Sequence, residues 1–161
     1  MNFKKRKILV IITIIMITLL IGCGNNAMDR VYNDDSKIAN DSDTFGLDES
    51  DETIEEGVYK GKLKFSGSIT IWTYESNEDF ELQVPYTLSV KSGKAKIVLI
   101  SPDNTVNTLV ENTNKSSVEG EAILTVPIKK GVNRIKLVGY KKADIDVELN
   151  IEKGTFHEIN F

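Results

Sequence analysis

Val58-Tyr59-Lys60-Gly61-Lys62-Leu63-Lys64-Phe65 alternates strictly, with Lys60, Lys62 and Lys64 on one parity and Tyr59, Gly61, Leu63 and Phe65 on the other. A period of two sends successive side chains to opposite faces of an extended chain, so this stretch predicts a strand with one wet and one buried face. The same parity recurs in Phe80, Leu82, Val84, Tyr86, Leu88 and Val90, then in Ala122, Leu124, Val126 and Ile128, and most regularly in Ile145, Val147, Leu149 and Ile151. Nearly continuous apolar runs at residues 97–100 and 135–138 predict strands buried on both faces. From residue 57 onward nothing has helical periodicity.

Turn residues punctuate these runs every 8–12 residues or so, the spacing of short strands in an all-β domain. Lys91-Ser92-Gly93-Lys94 reads as a turn linking two runs, Lys129-Lys130-Gly131 and Lys141-Lys142-Ala143 read as hairpin connections, and Ser101-Pro102-Asp103-Asn104 places proline where a type I turn favours it. Pro85 and Pro127 fall on the polar parity of their strands, which predicts edge positions or bulges, because proline cannot donate to a ladder. The expected fold is all-β: an antiparallel β-sandwich over residues 57–161, of jelly-roll or immunoglobulin-like topology.

Charge refines the register. If the Lys141–Ala143 loop closes a hairpin, Lys136 lies opposite Glu148 on the wet face. Asp144, Asp146, Glu148 and Glu152 form an acidic row that needs positive neighbours, since like charges directly opposite destabilise a sheet. Lys60, Lys62 and Lys64 supply them if the first and last strands are adjacent.

Upstream the composition changes. Between Gly24 and Glu56 the chain carries eleven acidic residues against Arg30 and Lys37, with few and scattered apolar residues. Low hydrophobicity with high net charge predicts disorder, so residues 23–56 are expected to be an acidic tether with an end-to-end distance of roughly 30–35 Å. Further upstream, Lys4, Lys5, Arg6 and Lys7 precede fourteen residues, Ile8 to Ile21, whose only polar members are Thr13 and Thr18. Fourteen is short of the roughly 20 apolar residues that span a bilayer, and the build is that of a secretory signal peptide over residues 1–22.

Leu20-Ile21-Gly22-Cys23 resembles the lipobox of bacterial lipoproteins, in which a small residue precedes an obligatory cysteine. The resemblance implies cleavage between Gly22 and Cys23 and acylation, palmitate included, of the Cys23 thiol. It also implies a mature chain anchored on the extracytoplasmic face of the cell membrane. Cys23 is the only cysteine, so lipidation leaves no thiol for a disulfide, a metal or nucleophilic catalysis. Loss of residues 1–22 takes four basic and no acidic residues from a chain of net charge −4, leaving about −8.

Catalytic chemistry is poorly represented. His157 is the one histidine and lies near the C-terminus, which excludes a histidine-based triad and a multi-histidine zinc site. Asp144 and Asp146 point the same way on a strand and have the residue types of an acid–base pair, but they sit in a charged, solvated row. No glycine-rich phosphate loop is present, and acidic balance opposes nucleic-acid binding. No catalytic residue, metal or cofactor is expected, and the chain is not expected to be an enzyme.

Trp72 and Tyr74 share one parity within Ile69-Thr70-Ile71-Trp72-Thr73-Tyr74. Either they anchor the core, or they face water as a stacking platform for a sugar ring or a partner. The segment Val126 to Leu137, with Gly131-Val132-Asn133-Arg134-Ile135 at its centre, resembles the strand–turn–strand ending of galactose-binding-like and carbohydrate-binding β-sandwiches; the resemblance implies fold and no ligand residue. The expected function is a non-catalytic binding or adhesion module for a glycan, wall polymer or envelope protein. The alternatives are an accessory subunit of an envelope complex and, third, a hydrolase.

Overall fold

The computed structural model describes residues 24–114 and 118–159, and the signal segment and Cys23 lie outside them. Two short helices, α1 (Gly24–Asp29) and α2 (Asp35–Ile38), precede seven strands: β1 (Thr44–Glu55), β2 (Val58–Ser76), β3 (Phe80–Ile100), β4 (Val106–Thr113), β5 (Val118–Ile128), β6 (Gly131–Asn150) and β7 (Thr155–Phe156). Every pairing is antiparallel.

β2, β3 and β6, of 19, 21 and 20 residues, each serve two layers. Their ladders shift register at matching places: between Phe65 and Gly67 on β2, between Val90 and Lys94 on β3, and where β6 passes from Gly139 to Ala143. At these corners Gly67 (φ 104°), Gly93 (φ 75°), Lys141 (φ 55°) and Lys142 (φ 53°) take left-handed backbone. A bulged, left-handed residue bends a strand without ending it. The first halves of β2 and β3 and the second half of β6 form layer one, in the order β1, β2, β6, β3, β5. The remaining halves form layer two, in the order β7, β2, β6, β3, β4.

The inward parity of both layers meets in one core containing Tyr59, Leu63, Phe65, Trp72, Leu88, Ile97, Leu137 and Leu149. The all-β antiparallel sandwich predicted from the sequence is what forms. The turn at Ser101 to Asn104 is present, with the Asn104 amide donating to the Ser101 carbonyl at 2.9 Å. Pro127 lies on edge strand β5, and Pro85 precedes the first β3–β6 pair, Tyr86 with Leu149, so neither proline breaks a ladder.

The linking turn read at 91–94 and the hairpin read at 141–143 are overturned. Both are corners inside continuous strands, and the 129–131 turn is an arch from layer one to layer two. A corner and a hairpin ask for the same left-handed, polar residues. The arch is held by buried Asn133, whose amide donates to the carbonyls of Lys129 (2.6 Å) and Gly131 (2.9 Å) and accepts from the Lys129 amide (3.0 Å). Because β6 does not fold back, Lys136 pairs with Thr70 and Val98 rather than Glu148. The other charge prediction holds for three of its four acids: Lys60, Lys62 and Lys64 stand opposite Glu148, Asp146 and Asp144, while Glu152 lies beyond the end of β6.

The acidic segment expected to be a disordered tether is folded. β1 joins layer one as an edge strand, setting Glu49, Asp51 and Thr53 beside Lys64, Lys62 and Lys60. Val31, Tyr32 and Ile38 pack on the outer face of layer two against Val98, Ile100 and Val138. This explains the doubly buried runs at 97–100 and 135–138: the cover comes from residues 31–39. The order is possible because the segment's acids meet bases fixed by the sheet. Lys136, fully buried, donates to the Asn40 carbonyl (2.6 Å) and pairs with Asp43 (3.1 Å), while Arg134 pairs with Asp41 and donates to the Ala39 carbonyl (2.9 Å). Burial holds the Lys136 ammonium below its ordinary pKa, with Asp43 opposing the shift.

Candidate functional site

The outer face of layer one presents polar rows that cross four strands. Thr53, Lys60, Glu148 and Thr87 are successive cross-strand partners, as are Asp51, Lys62, Asp146 and Ser89. Glu49, Lys64 and Asp144 begin a third. The strict alternation of β2 and β6 puts every one of these side chains on the wet face. Lys60 pairs with Glu148 at 3.2 Å and Lys64 with Glu49 at 3.6 Å; Lys91 reaches Asp146 at 3.1 Å and Asp144 at 3.9 Å. The hydrogen bond and charge of Asp146 raise the Lys91 pKa above its ordinary value.

Pairs this exposed contribute about 0–1 kcal/mol each to stability. Their distinctive property is positional: they hold a dense array of charged donors and acceptors on a rigid sheet. Three adjoining hollows of about 310, 810 and 230 Å³ are cut into this face, and Glu148 lines all three. Thr53, Lys60, Thr87 and Asn150 each line two of them, so the hollows make one furrow across β1, β2, β6 and β3. Asp146 Oδ1 is shielded from solvent there and accepts no hydrogen bond among the described residues. Charged groups make hydrogen bonds about twice as strong as neutral ones, and sheet-borne groups need little ordering to engage a ligand.

A second groove, of about 410 Å³, is lined by Arg134, Asp41, Asp43, Thr70, Thr73 and His157 among others. Its polar groups are already committed. Asp43 accepts from the Thr70 amide (2.9 Å) and hydroxyl (2.8 Å), Arg134 and Lys136 strap down residues 39–43, and His157 Nε2 lies 2.8 Å from Thr73 Oγ1. This groove is the seam where the N-terminal segment and the C-terminal tail meet the sheet.

The aromatic platform does not exist. Trp72 is 0% exposed, its indole N–H donates to the Lys153 carbonyl at 2.8 Å, and its ring lies 5.9 Å from that of Tyr74. Tyr74 is half-buried against Trp72 and Phe80. Trp72 and Tyr74 are therefore on the core side, and the alternative in which the pair faces water is overturned, since a second register shift on β2, between Thr70 and Trp72, turns their parity inward where Ile69 pointed inward before it. Asp144 and Asp146 do share a face, as neighbours of Lys91. Gly22 and Cys23 lie outside the described residues. The furrow's Thr53 and Thr87 were missed because only the β1 and β3 registers bring them to Glu148; Asn150, two residues beyond Glu148 on β6, shares its face by the period of two and was overlooked. The charge rows on β2 and β6 were the available signal. Among the described residues no group of three or more potential ligands is placed to hold a metal, and no helix is long and apolar enough to cross a membrane.

No family model matches the chain, and no curated protein sequence does. Among solved structures it is similar to a family 29 carbohydrate-binding module, at 10% identity over 69% of this chain and 76% of that one, with a TM-score of 0.40. A family 29 variant complexed with mannohexaose aligns at 11% identity over 68% of this chain and 89% of that one, TM-score 0.39. A CBM4 structure aligns at 8% identity over 70% and 76%, TM-score 0.32.

Proposed function

We propose that the chain is a bacterial lipoprotein, acylated at Cys23 on the extracytoplasmic face of the cell membrane, whose sandwich binds a glycan or wall polymer without catalysis. The observation that carries the binding half is the layer-one furrow. Its ammonium, carboxylate, hydroxyl and amide groups match the many weak donors and acceptors of a polyhydroxylated chain, and its open length suits a polymer better than a small molecule. The lipobox at Leu20 to Cys23 and the preceding basic and apolar segments support the anchoring half. His157, the sole histidine, is engaged with Thr73, and Asp144 and Asp146 are engaged with Lys91, which favours binding over hydrolysis.

Detergent-purified full-length protein, applied to a glycan array and to isolated wall polysaccharide, tests this reading. Retention is expected, together with binding weaker by about 100-fold or more for Lys60→Ala/Glu148→Ala, the loss of charge-assisted hydrogen bonds at about 1.5–3 kcal/mol apiece. The melting temperature should move little, because the pair is exposed. Absence of retention on every glycan, or retention unaffected by the double substitution, overturns the furrow assignment.

A further inference from the structure

The corner end of the sandwich brings together features that bear on how the molecule sits. Asp29, at the end of α1, accepts from the Lys141 amide (2.8 Å) and the Ser66 hydroxyl (2.9 Å), and Met28 lies 3.9 Å from where a side chain on Gly46 would begin. The chain is thus fixed to the corner by residue 28. Five residue steps separate Met28 from Cys23, a reach of at most about 17 Å. A free tether ending at Glu56 would instead allow roughly 30–35 Å.

The same corner is basic and aromatic. Lys141 and Lys94 hold their ammonium groups 5.3 and 5.9 Å from the centre of the Tyr140 ring, and Arg30 is exposed just after α1. Lys142 and Lys64 are engaged by Asp48 and Glu49. Lys94 and Lys141 have no carboxylate partner among the described residues. Tyrosine rings and lysine stems are the side chains that settle at a headgroup boundary, apolar body toward the lipid and polar end in water.

We propose that this corner, with Tyr140, Lys94, Lys141 and Arg30 at its centre, is a docking face for anionic lipid headgroups, so that the acylated protein lies directly on the membrane surface. The inference rests on acylation of Cys23. It fixes the geometry of the binding face: Glu148 is six residues beyond Lys142 along β6, so the furrow opens about 20 Å from the headgroups. A ligand would be held close along the membrane rather than at the end of a stalk.

The test uses full-length protein produced with its own signal segment and reconstituted into vesicles containing anionic lipid. Cys23 is consumed by acylation, so a dye on Ser92→Cys at the corner, or on Val132→Cys, is the sole thiol label. Val132 is exposed and lies about 25 Å along β6 from Tyr140. Headgroup-borne nitroxide should quench the Ser92 label several-fold more strongly than the Val132 label. Lys94→Gln/Lys141→Gln should shrink that difference in anionic but not in zwitterionic vesicles, since each lysine at such a surface is worth about fivefold in binding. Equal quenching at the two sites, or stronger quenching at Val132, on protein whose mass shows the acyl group overturns the docking face and leaves the anchor standing. A mass lacking the acyl group overturns both.

Discussion

Replacing Trp72 separates a core role from a binding role, because the two predict opposite outcomes. The indole is 0% exposed and its N–H donates to the Lys153 carbonyl at 2.8 Å. Gly154 packs so closely that a β-carbon added there would fall 2.6 Å from Trp72 Cε2. Truncation of a buried tryptophan to alanine costs about 3–5 kcal/mol, and the lost hydrogen bond adds about 1 kcal/mol. Against a total stability of about 5–15 kcal/mol this removes a large share. At roughly 4 °C per kcal/mol for a domain of this size, Trp72→Ala should lower the melting temperature by about 15–25 °C. Trp72→Phe keeps the ring contact with Tyr74 and loses the donor and part of the volume, so about 4–10 °C is expected. Circular dichroism melts read these shifts, and wild-type tryptophan emission, strongly blue-shifted from free indole, reads the burial. Melts unchanged within about 2 °C, or emission at the wavelength of free indole, would place Trp72 outside the core.

Reversing Lys60, Lys62 and Lys64 together to glutamate places each new acid between acids or Thr53 on β1 and acids on β6, and at about 0.2–1 kcal/mol per opposed pair should cost about 1–5 kcal/mol in a denaturant melt. Asp43→Asn, which leaves the buried Lys136 without its ion partner, should cost about 3 kcal/mol by urea unfolding, while Lys136→Met, which removes the buried charge itself, should cost less. The Lys136 pKa lies below its ordinary 10.5, so its contribution runs opposite to a stabilising pair: stability should climb as pH rises through the lowered folded value toward 10.5, and Lys136→Met should flatten that part of the profile. Gly67→Ala sets a β-carbon 2.1 Å from the Thr44 carbonyl oxygen at a left-handed position, and its melting temperature should fall well beyond the few degrees of an ordinary surface change.

The strands, their parity, the doubly buried runs and the matching of Lys60, Lys62 and Lys64 with the acidic row were legible because period two and charge opposition act between near neighbours. The corners were not. Lys141-Lys142 and Ser92-Gly93 have the chemistry of a turn, and whether the chain reverses there or bends depends on partners far away in sequence, such as Phe65 and Lys94. The order of residues 24–56 was hidden for a related reason. Val31, Tyr32 and Ile38 are too few to form a core alone, but they complete one that layer two leaves half built, and the acids around them are neutralised by Arg134 and Lys136 about a hundred residues later. Composition measures a segment in isolation, and this segment does not fold in isolation. The furrow was half legible, since its charges could be read on two strands while the hydroxyls that flank them arrive only through the β1 and β3 registers.

The central claim is that layer one's outer face is the ligand surface. Backbone amide chemical shifts of the isotope-labelled protein, followed while a retained glycan is titrated, test it most directly. Perturbations concentrated at Thr53, Lys60, Thr87, Glu148 and Asn150 are expected. Perturbations concentrated instead around Thr73, Arg134 and His157 would contradict it.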